Sequence, residues 1–355
     1  MRFVTVAGLK KGMLLSRDIM GENCKTLFTA NTKLKQDQIE KINKLGFSGA
    51  YVEDALCGEI LPEPLIPQEL YAELVLAAKD FLTEAQNLKP DHGRRAQTVD
   101  RQKNIVTPII DFLLAKKRRL IDYIDQKPYK EYEYYHAANG MLLSLLLGIE
   151  MGMDGERLYE LGLAALLHDI GAVFLPAEIL NRPGTLTDEE FEIIKSHTER
   201  GFAYLHDYFR LSEEAAMGAL QHHENYDGTG YPNGLKRKQI SLVGRIIAVT
   251  DVYDALVSRR PFRSAMFAKQ GLEILEQKSD RKFDPDIVDL FAKIVAPFPS
   301  GVTVQLSNGE TAIVFRNHKD NPFRPRLIKA SGEREYLDLA KDPEMAKVKI
   351  RRIVE

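Results

Sequence analysis

The chain has 355 residues, 44% hydrophobic and 28% charged, the balance of a folded protein of two or three domains, which excludes extensive disorder. A formal net charge of −2 excludes a global pull toward DNA, RNA or an anionic membrane, so an anionic ligand must be met by local cations. Cys24 and Cys57 form no CxxC pair and read as packing residues in a reducing cytoplasm. The start shows no signal-peptide pattern, and the most apolar run, Met141 to Ile149, falls far short of the about 20 residues that cross a bilayer.

Residues 1–62 read as a small α+β module. Phe3 to Val6, Met13 to Leu15 and Ala50 to Val52 have strand character, and Leu34 to Leu45 is helical with Gly46 as its cap. Pro62, Pro64 and Pro67 mark a boundary, after which 63–128 is expected to be a helical linker, with helices from Gln68 to about Gln86 and from Val99 to Gln126. The basic run Lys116 to Arg119 reads as a solvated helix face. Residues 129–296 are expected to be all helix. Tyr135 to Met151 is apolar on several faces and therefore buried, Glu156 leads to His168, and Thr187 to Glu190 opens a helix with a capping-box pattern that delivers His197. Leu211 to His222 and Val243 to Leu256 complete this core. Residues 297–355 change to strand-forming runs (302–306, 312–315, 326–328) with Ser307 to Glu310 as a hairpin turn. The fold class expected is mainly α, flanked by a small α+β module and a β appendage.

Within the helical core lie His136, His168, His197, His222 and His223, together with Asp169 and Asp251. Singly, His136 reads as a satisfied core histidine, His197 as a surface residue, and Asp169 as a turn-former before Gly171. The adjacent pair His222 and His223 resists such readings, because each ring brings a donor and an acceptor to satisfy. Together these seven groups are too many for one tetrahedral zinc. They suit two ions sharing a carboxylate, and His/carboxylate ligation without thiolate points to iron, manganese or another first-row metal.

The motifs His168-Asp169, His222-His223-Glu224, Asp227-Gly228-Thr229-Gly230-Tyr231-Pro232 and Asp251-Val252-Tyr253-Asp254-Ala255-Leu256, in this order, resemble the HD-GYP family of HD phosphohydrolases over about 129–265. The resemblance implies a phosphodiesterase that hydrolyses cyclic di-GMP to linear pGpG and often onward to GMP. It implies two metals, iron or manganese. His136, His168 and Asp251 would hold one, His197, His222 and His223 the other, with Asp169 bridging and His168 and Asp169 central to catalysis. A water made acidic by the ions attacks phosphorus in such a site. Arg260 and Arg263 match the family's basic positions and would meet substrate phosphates, and Tyr231 and Gly230, with Gly228 and Pro232, would shape the lip of the site.

Two departures stand out. Ala172 occupies the position of a family lysine, which implies a weaker grip on the phosphate. Tyr132, flanked by Glu131 and Glu133, stands where some members carry a glutamate for a third metal, so two metals are expected and not three. The alternative function is a cyclic-dinucleotide receptor with weak or no turnover, and a more distant one is hydrolysis of a hybrid cyclic dinucleotide or a nucleoside monophosphate. The N-terminal module is read as a regulatory piece through which a second copy or a protein partner would be met.

Overall fold

The computed structural model describes residues 1–354 except 59, 63, 88–91, 117–119, 123, 125–126, 181, 183, 209–210, 260–262 and 332–333. The chain is mainly α, with β structure confined to its two ends. The N-terminal module comprises β1 (Arg2–Thr5), β2 (Ile19–Met20), β3 (Thr26–Phe28), α1 (Gln36–Lys44) and β4 (Gly49–Val52). β1 pairs antiparallel with β4, and β2 with β3. Met13 to Leu15 contributes only isolated bridges, Leu14 to Lys33 and Leu15 to Val52.

Then come α2 (Gln68–Asn87) and α3 (His92–Ala115). The helix expected to run to Gln126 stops at Ala115. Ile121 instead forms a parallel bridge with Val295, its N–H donating to the Ile294 carbonyl at 2.7 Å while its own carbonyl accepts from Ala296 at 2.9 Å. A tertiary partner thus overrides local helical preference. Of the basic run, only Lys116 is described, and its ammonium donates to the Pro64 and Leu65 carbonyls.

The helical core comprises α4 (Tyr132–Glu150), α5 (Gly155–Leu167), α6 (Ala177–Leu180), α7 (Asp188–Lys195), α8 (His197–Ala203), α9 (Glu213–Gln221), α10 (Leu242–Val257), α11 (Ala268–Gln277) and α12 (Pro285–Ile294). Every residue of α4 from Tyr135 to Ile149 is buried, as its all-round apolarity requires. α4 packs against α2, α5, α10 and α12, and one hydrophobic cluster runs from Ile66 to Val295. Sequence-coded caps set the helix starts. Asp154 accepts from Arg157 N–H before α5, and Ser212 and Ser241 cap α9 and α10 in the same manner. At α7, Thr187 and Glu190 form the expected capping box.

The C-terminal strands β5 (Thr303–Leu306), β6 (Thr311–Arg316), β7 (Arg326–Lys329), β8 (Tyr336–Asp338) and β9 (Ile350–Val354) form one antiparallel sheet in the order β8-β7-β6-β5-β9. Phe3 and Tyr51 of the N-terminal module share a core with Phe298, Val302, Val304 and Val314, and Phe3 N–H donates to the Gly301 carbonyl at 3.0 Å. Cys57 and Ile60 pack on Ile313 and Ile328 in the same way. Among the described residues no helix is long and apolar enough to cross a membrane.

Candidate metal centre

The seven groups singled out by composition meet at one place because each sits at a helix end or on a buried helix face. His136 lies one turn into α4, His168 closes α5 as its C-cap, and Asp169 follows it. His197 opens α8, His222 closes α9 with His223 next, and Asp251 is on the buried side of α10. Two sets of potential ligands result. One is His136, His168 and Asp251, and the other is Asp169, His197, His222 and His223, with ligand atoms within 4.8 Å of one another in each.

The hydrogen bonds fix which ring nitrogens face the centre. Nδ1 of His168, His197 and His222 lies 2.8, 2.7 and 3.1 Å from the carbonyls of Ala165, Ile194 and Gly218 respectively. A carbonyl can only accept, so each Nδ1 carries a proton and each ring turns its Nε2 inward. His197 Nε2 and His222 Nε2 face each other at 3.3 Å, close enough for one ion to meet both. His168 Nε2 is buried and makes no hydrogen bond. His136 Nε2 lies 3.1 Å from Asp251 Oδ1. Asp169 connects the sets. Its Oδ2 is 3.4 Å from His168 Nε2, whereas its Oδ1 is 3.4 Å from both His197 Nε2 and His222 Nε2. The donor set fits a pair of cations spanned by one carboxylate.

The charges tell the same story. Burial opposes ionisation of Asp169 and Asp251, yet the surrounding imidazoles hold both carboxyls below the usual range. Burial keeps His197 and His223 neutral, pushing both below the ordinary histidine value. It opposes a proton on His136 too, but the carboxylates of Asp251 and Asp254 outweigh it and raise that pKa to about 9.

The Gly-rich turn packs against this centre. The Tyr231 ring lies 4.9 Å from that of His223 and 6.5 Å from that of His197. Gly230 passes so close to the preceding turn that a Cβ there would fall 2.2 Å from Asn225 N and 2.5 Å from the His223 carbonyl. Gly228 has a φ of +85°. Buried Glu224 accepts from Asn233 and Leu235 N–H at 2.7 and 3.0 Å, pinning the far side of the turn. On the other flank a cavity of about 440 Å³ is lined by Tyr132, Glu133, His168, Asp169, Ala172 and Leu180, among others. Desolvation, reinforced by Asp169, raises the Glu133 pKa.

Arg263 is exposed and its guanidinium donates to the Ala255 carbonyl; it is not among the residues that line this cavity. Arg260 lies outside the described residues. Several polar residues near the centre escaped sequence reasoning. Phe191 and Lys195 gather beside Tyr231, the ammonium 4.9 and 5.7 Å from the two ring centres. Half-buried Lys282, its pKa lowered by desolvation, lies within the field of Asp251. Asp254, three residues after Asp251 in the same motif, reaches His136 with its side chain.

Residues 118–287 match the family described as the HD domain. A cyclic di-GMP phosphodiesterase of Pseudomonas aeruginosa is 35% identical over 237 residues, covering 66% of this chain and 57% of that protein. One of Thermotoga maritima is 39% identical over 176 residues, covering 49% and 46%. The part of the chain that resembles the HD domain holds all seven groups of the centre. A 3'3'-cGAMP-specific phosphodiesterase of Vibrio cholerae is 40% identical over 128 residues, which is 36% of this chain and 24% of that protein. The chain thus spans about half the length of the first two curated relatives.

Proposed function

We propose that the chain is a metal-dependent phosphodiesterase that opens cyclic di-GMP to linear pGpG, with GMP as a further product. The observation that carries this reading is Asp169, one oxygen of which faces His168 and the other His197 and His222. His136, His168 and Asp251 would hold one divalent ion and His197, His222 and His223 the second, with Asp169 between them. Iron or manganese suits this thiolate-free set. Bound there, the ions supply charge neutralisation at the phosphate and acidify a water nucleophile.

The chain's own residues do the rest. The Ala165, Ile194 and Gly218 carbonyls hold three rings in the ligating tautomer. Gly230 lets the turn close tightly and so brings the Tyr231 ring beside His223, where it offers a face to a nucleobase. Arg260 and Arg263 are the proposed phosphate contacts, Arg263 exchanging the Ala255 carbonyl for the ligand. A second copy or a protein partner would be met through residues 1–62, in a cytoplasmic setting.

Ala172 favours a second reading, a receptor that binds and scarcely turns over, since the cavity it lines contains Asp169 and Glu133 and, among the described residues, no lysine or arginine. Chromatography of products from cyclic di-GMP and from 3'3'-cGAMP, offered separately and in competition, tests both readings. Linear product from cyclic di-GMP that vanishes in His168→Ala and Asp169→Ala supports the enzyme. Tight binding without product supports the receptor, and preference for 3'3'-cGAMP reassigns the substrate.

A further inference from the structure

Three of the inward-facing rings are oriented by backbone carbonyls, but His136 is oriented by a side chain. Its Nδ1 lies 2.7 Å from Asp254 Oδ2, a distance that a carboxylate oxygen and a bare ring nitrogen would not tolerate, so the proton sits between them. Tyr132 Oη, 3.2 Å from the same Nδ1, is the more distant neighbour and is compatible as an acceptor. Nε2 is then free to face Asp251. Asp254 is itself 2% exposed and surrounded by donors. Lys127 Nζ lies 3.4 and 3.2 Å from its two oxygens, Asn139 Nδ2 2.8 Å from Oδ1, and Ser258 Oγ 3.3 Å from Oδ2. The Asn139 amide cannot turn over, because that would set its oxygen against the Asp254 carboxylate; in this orientation its Oδ1 accepts from the Tyr71 hydroxyl at 2.8 Å. Tyr71 belongs to α2 and Lys127 to the segment before α4, so both reach in from the linker.

We propose that Asp254 is a positioning residue that holds His136 in the metal-binding tautomer, and that Tyr71 and Lys127 hold Asp254, tying the affinity of one metal position to the docking of the linker. The proposal rests on the metal reading above and extends it to residues that touch neither metal nor substrate. Its chemistry admits only an anion at 254. An asparagine would turn an NH2 group toward at least one of Lys127, Asn139, Ser258 and His136, all of which donate here. Outer partners of a ligating histidine commonly change metal affinity by about 10- to 100-fold, and they act on their own ion first.

The test is manganese(II) titration of the chelator-stripped full chain, with manganese per chain measured on the wild type, Asp254→Asn, Tyr71→Phe and Ser258→Ala, and with thermal unfolding of each stripped protein. The expected result is a stepwise split. Asp254→Asn weakens one of two ions by about 10- to 100-fold and leaves the other within a few-fold. Tyr71→Phe and Ser258→Ala, which keep their packing, weaken the same ion by a smaller factor. A general structural role would instead lower both affinities and the melting temperature of all three proteins together. Wild-type affinity for both ions in Asp254→Asn overturns the proposal alone, and so does equal weakening of the two. A wild type that takes up no manganese overturns the metal reading, and the proposal with it.

Discussion

Gly171 and His197 touch through their backbones: a Cβ placed on Gly171 would lie 1.8 Å from the His197 carbonyl oxygen and 2.6 Å from Gly201 N. The turn after Asp169 and the first turn of α8 therefore leave no room for a side chain at position 171. Gly171→Ala is expected to cost about 1–3 kcal/mol of stability, the range for overpacking, and to lower metal content. Chemical denaturation and elemental analysis on the same preparation check it. A variant that keeps full stability and full metal would show that the contact is not needed.

Ala172 opens the cavity wall where the family motif carries a cation. The position is half-buried and borders a volume large enough for a lysine side chain. Ala172→Lys is expected to fold normally and to raise kcat/KM for cyclic di-GMP, by up to the order of 100-fold that a positioned charge contributes. Steady-state kinetics at fixed metal loading read this directly. An unchanged rate would mean that another cation already serves the phosphate, and Lys282 would be the first to examine.

Lys127 and Asp254 form an ion pair at 3.2 Å with both side chains nearly inaccessible. Removing the lysine leaves the buried Asp254 carboxylate to His136, Asn139 and Ser258, without the full positive charge that matched it. Lys127→Met is expected to destabilise the fold by about 3–5 kcal/mol, far more than a surface lysine would. Urea unfolding would show it, with Lys130→Met, an exposed lysine 3.8 Å from Glu22, as the control.

Cys57 is fully buried, and desolvation raises its thiol pKa to about 11. A thiol reacts as its thiolate, so alkylation of the folded chain at pH 7–8 is expected to be much slower than in urea, and to accelerate as pH climbs toward 11. Mass spectrometry after timed iodoacetamide treatment distinguishes Cys57 from half-buried Cys24. Rapid labelling of Cys57 at neutral pH would show that the contact of Cys57 with Ile313 and Ile328 opens readily.

Chelation is expected to lower the melting temperature, since an ion that binds the folded chain, where His197 Nε2 and His222 Nε2 lie 3.3 Å apart, stabilises it over the unfolded one. Differential scanning calorimetry with and without chelator, followed by manganese readdition, measures the effect. His222→Gln is expected to show a smaller chelator-induced shift than the wild type.

The helical core was legible because its signals are local. The all-round apolarity of Tyr135 to Ile149, the Thr187 capping box and the helix-terminal histidines need no knowledge of distant chain. What escaped reading depends on partners far away in sequence. Nothing near Ile121 announces Val295, nor does anything near Phe3 announce Gly301. The outer strands β8 and β9 are short or charged and gain their identity from β7 and β5. At the site, the histidine and aspartate pattern picked out the groups that the fold gathers, while the donors around Asp254 were invisible because Tyr71, Lys127 and Ser258 are ordinary residues until the fold brings them together.

The central claim is hydrolysis of a cyclic dinucleotide at a two-metal centre. The most direct measurement is turnover of cyclic di-GMP by freshly purified full chain under anaerobic conditions, with iron and manganese quantified in the same sample. The expected result is linear pGpG, with or without GMP, formed at about two metal ions per chain and lost in His168→Ala and Asp169→Ala. Full metal occupancy with tight binding and no product would contradict the enzyme reading, and a chain with neither metal nor binding would contradict the whole assignment of this centre.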